Sequence, residues 1–277
     1  MDVNSLILAG TSLGVMGLVF GASLAFASKK FAVEVDPRVI EVREAVPGAN
    51  CGACGYPGCD GFANAVVKGL APVNGCPVGG APVASRVAQI MGVEAGATTK
   101  KVAKVKCEGH EENCSNRYDY DGLDSCVAAN MLNGGPKSCL FGCMGLGSCV
   151  QVCPFDAIHI NDKGLAEVDP EKCTACNKCI EICPKMVISL IPYNQLTIVE
   201  CNNKDKGPQV KKNCSVACIA CGICERNCPH DAIHVVNNLA EINYDKCTNC
   251  MICVEKCPTK AISGDLSKRT VEVVAQA

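Results

Sequence analysis

Eight cysteines between Cys218 and Cys257 fall into two runs of identical spacing. The first reads Cys218-x2-Cys221-x2-Cys224-x3-Cys228-Pro229, the second Cys247-x2-Cys250-x2-Cys253-x3-Cys257-Pro258. Thiolates are soft ligands, and at this step three of them reach three corners of one iron–sulfur cubane from a single tight loop. The proline then turns the chain away, and the fourth thiolate points at a neighbouring cubane. Cys218, Cys221, Cys224 and Cys257 are therefore expected to hold one [4Fe–4S] cluster, and Cys247, Cys250, Cys253 and Cys228 another. Disulfides do not suit the runs, because near neighbours at this spacing rarely reach bridge geometry. Zinc needs only paired C-x2-C units, so the third cysteine and the Cys-Pro step favour iron and sulfide.

The pattern occurs once more upstream, with one departure. Cys139-x3-Cys143-x5-Cys149-x3-Cys153-Pro154 is followed by the regular Cys173-x2-Cys176-x2-Cys179-x3-Cys183-Pro184. Leu146 stands where the pattern wants a cysteine. Aligned on Cys-Pro, Cys139 matches Cys214, and each lies four positions before the normal first ligand. The expectation is that Cys139 replaces the missing ligand and Cys214 is spare. The sets would then be Cys139, Cys143, Cys149 with Cys183, and Cys173, Cys176, Cys179 with Cys153. After each first Cys-Pro comes an alternating segment, Ile158-His159-Ile160 or Ile233-His234-Val235, which reads as a half-buried strand with its histidine outward. Two such units in tandem, 139–200 and 201–277, resemble two-cluster bacterial ferredoxins with their pseudo-twofold fold.

A separate module occupies residues 31–97. Asp36-Pro37 reads as a helix N-cap with proline at the first position, and Val39, Val42 and Val46 follow at helical spacing. Then comes Cys51-x2-Cys54-x4-Cys59-x16-Cys76, with glycines at 52, 55 and 58 that let backbone approach a cluster and donate to its sulfides. One [4Fe–4S] with these four ligands is the economical reading, and a zinc site is its rival. The stretch CGACGYPGCDGFANAV resembles the iron–sulfur module shared by Rnf B subunits and corrinoid iron–sulfur proteins.

Leu6 to Ala27 runs 22 residues without a charge, enough to cross about 30 Å of hydrocarbon. Gly10, Gly14, Gly17 and Gly21 give one face small side chains suited to packing on another membrane helix. A signal peptide would carry a basic n-region, whereas Asp2 stands here. Lys29 and Lys30 follow the apolar run, so residues 1–30 read as a single-pass anchor with the rest on the cytoplasmic side of the plasma (inner) membrane. Residues 98–138 read as a linker. Its Lys100, Lys101, Lys104 and Lys106 suggest a solvated strand edge, with a dock for an acidic ferredoxin as the sharper alternative. A short helix is expected over Leu123–Leu132. Cys107, Cys114 and Cys126 are either buried free thiols or part of a sixth cluster completed by Cys201 or Cys214. In the tail, Thr270–Val274 alternates weakly, as an added edge strand would.

The chain has 277 residues, 25 cysteines, no Trp, six Phe and five Tyr. So few aromatics cannot build one large core; small modules stapled by inorganic clusters can fold instead. Runs of three cysteines and an odd total argue for thiolates in a reducing compartment. No basic stripe with interleaved aromatics points to nucleic acid. Neither G-x-G-x-x-G nor G-x-x-x-x-G-K-[ST] occurs, and no residue constellation supports bond chemistry, so no catalytic residue is assigned. The expected architecture is α+β: membrane helix, small iron–sulfur module, two tandem two-cluster ferredoxin-like domains. Five [4Fe–4S] clusters are expected, with a sixth left open.

Over its whole length the chain resembles the B subunit of the Rnf complex, an ion-translocating ferredoxin:NAD+ oxidoreductase. The resemblance implies a subunit that itself only carries electrons. They would come from reduced soluble ferredoxin and pass to the other membrane subunits, toward NAD+ reduction coupled to Na+ or H+ transport. The C-terminal domain, farthest in sequence from the anchor, is the expected docking end. A polyferredoxin subunit of another anaerobic oxidoreductase, such as a hydrogenase, would share the clusters but not the first module with its anchor. A zinc-stabilised or redox-responsive scaffold is the rival from a different class.

Overall fold

The computed structural model describes residues 3–31, 36–96 and 99–269; the expected strand over Thr270–Val274 lies outside them. Helix α1, Val3–Lys30, is apolar on every side and ends on Lys29 and Lys30. Its segment Gly10–Lys30 is, among the described residues, the one helix long and apolar enough to cross a membrane by length and composition. Side chains added at Gly10, Gly14, Gly17 or Gly21 would meet no atom within 4 Å.

The first module is a three-helix cluster. Helix α2, Pro37–Ala45, starts as its sequence predicts: the Asp36 carboxylate accepts the Arg38 N–H and Pro37 opens the first turn. Helices α3, Gly58–Val67, and α4, Gly80–Met91, pack on it through Val42, Phe62, Val66 and Val87, all nearly inaccessible to water. Gly92, at φ 67°, ends α4.

The strand β1, Lys101–Val105, lies in the segment that reads as a linker, and it belongs to a sheet. It runs antiparallel to β4, Ile188–Pro192, with Ala103 opposite Leu190. Val102, Ala103 and Val105 are buried, so the lysines between and around these positions border a core rather than float on a linker. Between β1 and β4 lie α5 (Cys126–Met131), α6 (Ser148–Gln151), a hairpin of β2 (Ile158–Ile160) and β3 (Ala166–Val168), and α7 (Lys178–Ile182). Helix α5 is shorter than the Leu123–Leu132 expected, because Ser125 caps it and Leu132 already leaves helical geometry.

The second unit repeats the plan. Strand β5, Ile198–Val199, pairs with β8, Ile262–Ser263, and encloses α8 (Gly207–Asn213), α9 (Ile223–Arg226), the hairpin of β6 (Ile233–Val236) and β7 (Leu239–Ile242), and α10 (Ile252–Lys256). Alternation holds in both hairpins: Ile158 and Ile233 are buried, while His159 and His234 face Glu167 and Glu241 across the ladders. The joint between units, residues 193–197, is fastened. Asn249 Oδ1 accepts from Gln195 Nε2 at 2.7 Å and from the N–H groups of Leu196 and Thr197, both at 3.1 Å.

Candidate iron–sulfur sites

In the first module Cys51, Cys54, Cys59 and Cys76 line one small cavity with Val46, Phe62 and Pro77. The loop can curl round that space because Gly52, Gly55 and Gly58 all adopt positive φ. Asn50 Oδ1 accepts the Cys59 N–H at 2.8 Å and holds the loop to the start of α3. Burial pushes the Cys76 thiol up, and the charges of Cys54, Cys59 and Cys51 add to the rise.

In the second unit Cys228, Cys247, Cys250 and Cys253 line a small cavity with Ile233 and Met251. Cys224 has Cys218, Cys221 and Cys257 as its charged neighbours. Both groupings are those the spacing predicts. Sulfur atoms here accept from N–H donors: Ala232 to Cys228 at 3.3 Å and Gln195 Nε2 to Cys247 at 3.3 Å. The first unit has counterparts, Ala157 to Cys153 at 3.4 Å and Ala103 to Cys173 at 3.3 Å. Such donors stabilise negative sulfur. Burial is the leading cause that pushes Cys253 and Cys179 up to about 12, with the neighbouring cysteines next. Thiols so crowded need a positive core among them before they can all ionise.

Cys179 stands with Cys173, Cys176 and Cys153, again as predicted. The other set of this unit differs from expectation. Cys149 has Cys143, Cys126 and Cys183 around it, with Cys179 beyond, and not Cys139. Cys126 opens α5, and its N–H donates to Ser148 Oγ at 2.8 Å on the neighbouring helix α6. Gln151 Nε2 also donates to the Asp124 carbonyl at 3.2 Å. The segment between β1 and the first thiol loop thus folds back and lays Cys126 where Leu146 leaves a gap. Gly145 makes the loop's own turn possible: at φ 75°, a Cβ there would lie 2.1 Å from the Gly164 carbonyl oxygen.

Cys139 points elsewhere. It lines a small cavity with Cys107, Cys114, Cys201 and Cys214, beside Lys137 and Asn203. Cys107 Sγ accepts from the N–H groups of Gly109 and Cys143, both at 3.4 Å. Asn203 donates from its side chain to Cys139 Sγ at 3.4 Å and from its backbone to Cys201 Sγ at 3.5 Å. A hydrogen bond that Cys214 donates to Cys114, then burial, push the Cys214 thiol up. Spacing alone does not reveal this set, because its members are spread from 107 to 214. One signal does point to it: Cys139 and Cys214, alike in lying four positions before a first ligand, end in the same cavity.

All 25 cysteines thus lie in six groups: five of four thiols and one of five. Among the described residues no three His, Cys, Asp or Glu side chains are disposed to hold one metal ion. Four thiols lining one space, with N–H groups aimed at sulfur, fit a cubane.

The comparisons with known proteins agree. A model described as a putative Fe-S cluster matches residues 46–78, a 4Fe-4S dicluster domain matches 141–190, and a 4Fe-4S binding domain matches 217–234 and 240–263. The fold and its thiols therefore define a ferredoxin-type iron–sulfur protein with an N-terminal apolar helix. The chain is 51% identical, over 95% of its own length and 79% of the relative's, to the B subunit of the Na(+)-translocating ferredoxin:NAD(+) oxidoreductase complex of Acetobacterium woodii. It is 42% identical to the B subunit of the ion-translocating oxidoreductase complex of Methanosarcina acetivorans, over 94% of this chain and 97% of the other. It is also 42% identical to the B subunit of the proton-translocating ferredoxin:NAD(+) oxidoreductase complex of Clostridium ljungdahlii, over 96% and 94%. The chain belongs to this family, the B subunits of Rnf-type ion-translocating oxidoreductase complexes.

Proposed function

We propose that this chain is the electron-carrying subunit of an ion-translocating ferredoxin:NAD+ oxidoreductase, and that each of its six thiol groups holds one [4Fe–4S] cluster. Such a cluster supplies a one-electron redox centre. The protein's part is to fix where these centres stand, and the observation that carries the reading is that no cysteine is left outside a group. Cys107, Cys114, Cys139 and Cys214 serve as the ligands of the sixth site, and Cys201 lies between that site and Cys218.

The groups follow one another in single file. Cys51 of the first module faces Cys176. Cys179 neighbours Cys149, and Cys143 donates its N–H to Cys107. Cys201 bridges Cys139 and Cys218, and Cys224 neighbours Cys253. The tandem arrangement thus runs from the module next to the membrane helix to the Cys247 group at the far end. The C-terminal unit is where soluble ferredoxin docks, and the first module is where electrons leave for the other membrane subunits. The apolar helix anchors the chain in the plasma membrane, with the thiol groups on the cytoplasmic side, where thiols stay reduced. NAD+ reduction and Na+ or H+ movement belong to partner subunits.

The test is iron and acid-labile sulfide per chain on anaerobically purified protein. About 24 of each is expected. About 20 would remove the sixth site, and bound zinc with little iron would overturn the electron-carrier reading.

A further inference from the structure

Two lysines are buried, Lys137 at 7% exposure and Lys185 at 8%; among the described residues no other basic side chain is. Neither forms an ion pair with a carboxylate there. Lys137 Nζ donates to the Gly109 carbonyl at 2.7 Å, and Lys185 Nζ to the Gly134 carbonyl. A buried ammonium held only by carbonyl dipoles is costly unless a negative charge stands nearby. The carboxylates of the same cavity have other cations: Glu200 pairs with Lys104 at 3.1 Å, and Lys163 faces Glu108. Both lysines face sulfur, and Lys185 also faces the Arg117 guanidinium. Lys137 acts on Cys107, Cys114 and Cys143, and Lys185 on Cys139, Cys183 and Cys126. The two adjacent thiol groups in the middle of the file share both cations.

The second unit gives the contrast. Lys212, two residues before Cys214 as Lys137 is before Cys139, is exposed, and Thr259 holds the place of Lys185 after Cys-Pro. The buried cations are therefore confined to one stretch of the file.

We propose that Lys137 and Lys185 are potential-setting residues that make the Cys107–Cys114–Cys139–Cys214 and Cys126–Cys143–Cys149–Cys183 groups the most readily reduced in the chain. This rests on the cluster-binding reading above. A cubane with four thiolates is negative and gains one further charge on reduction, so a fixed buried cation favours the reduced form. Electrons arriving from either end then settle first in the middle, and the central groups act as a reservoir between the two units.

The full chain, purified anaerobically, is titrated by EPR at fixed pH as the parent, as Lys137→Met and as Lys185→Met. At unchanged iron content, the signals that appear first in the parent are expected to lose at least tenfold in their reduced-to-oxidised ratio at a given potential. That is a downward move of about 59 mV for one electron. The remaining signals stay in place. Unmoved midpoints at full iron overturn the proposal and leave the lysines as loop props. Should a methionine variant shed iron, Cys107→Ala and Cys126→Ala decide. Each must delete a signal that reduces early in the parent, and loss of late-reducing signals overturns the proposal. Absence of iron from the parent chain is a different failure, that of the cluster reading itself.

Discussion

The two ferredoxin-type units share one plan and fill one thiol position differently. Each opens with a strand, carries a thiol loop, a short helix and a hairpin, then a second thiol loop and helix, and closes on a strand that pairs with the first. In the second unit Cys221 supplies the middle thiol of its own loop. In the first, Leu146 holds that place, and Cys126 reaches it from α5, within the long segment between β1 and the loop. A thiol group can thus draw one member from a remote segment, here fixed by the hydrogen bond that the Cys126 N–H donates to Ser148 Oγ.

The comparison is broken most severely at that ligand. Cys126→Ala should lower iron by about four atoms per chain, whereas Cys139→Ala should leave the Cys149 group intact. Adding Leu146→Cys to Cys126→Ala rebuilds the regular run and should restore the iron. Full iron in the single variant would mean that Cys126 is a bystander.

A smaller effect is expected at Asn249, whose counterpart in the first unit is Ala175 at a similar positive φ. Asn249→Ala removes the acceptor for three donors at the joint, costing about 1–3 kcal/mol. Denaturant unfolding of the second unit, followed by loss of its visible absorbance, reads this directly. An unchanged midpoint would show that the joint stands without it.

Ser148→Ala should cost about 1 kcal/mol locally by orphaning the Cys126 N–H. Faster amide exchange over 126–131, with the second unit unchanged, is the expected signature.

The smallest effect concerns pH. Burial first, then the hydrogen bond that Glu108 donates to Glu200 and the charge of Glu200, push Glu108 up to about 7. The folded state therefore binds a proton that the unfolded chain releases near its ordinary value, so this contribution is full at acid pH and is lost as pH rises through about 7. Glu108→Gln should flatten that decline in thermal stability, measured between about pH 5 and about pH 8. The second unit carries Asn202 at the matching place and should lack the dependence.

Much of this was legible where ligands are local. Cys173, Cys176 and Cys179, like Cys247, Cys250 and Cys253, sit on single loops, and spacing names them together with their partners from across the unit. The apolar helix and the Asp36-Pro37 cap are local as well. Sequence reasoning fails where the contact is long-range. Alignment offers Cys139 for the gap at Leu146, because it is the nearest extra thiol; only the return of α5 onto α6 selects Cys126. Strand β1 is legible as a strand edge from its lysines, but its buried face of Val102, Ala103 and Val105 is not, because its partner lies beyond residue 187. Had β1 been seen to open a unit, Cys107 and Cys201 would have stood out, each two residues past the end of an opening strand.

The fastening of residues 193–197 has a mechanical consequence. Pro192 ends one unit's closing strand and Ile198 begins the next unit's opening strand, and the span between them is pinned to the Cys247 loop through Asn249. The span that follows the first unit is thereby held against the second unit's own thiol loop. Because their N–H groups are bonded to one side chain, the amides of Leu196 and Thr197 should exchange more slowly than those of ordinary connecting segments, and Asn249→Ala should release both together.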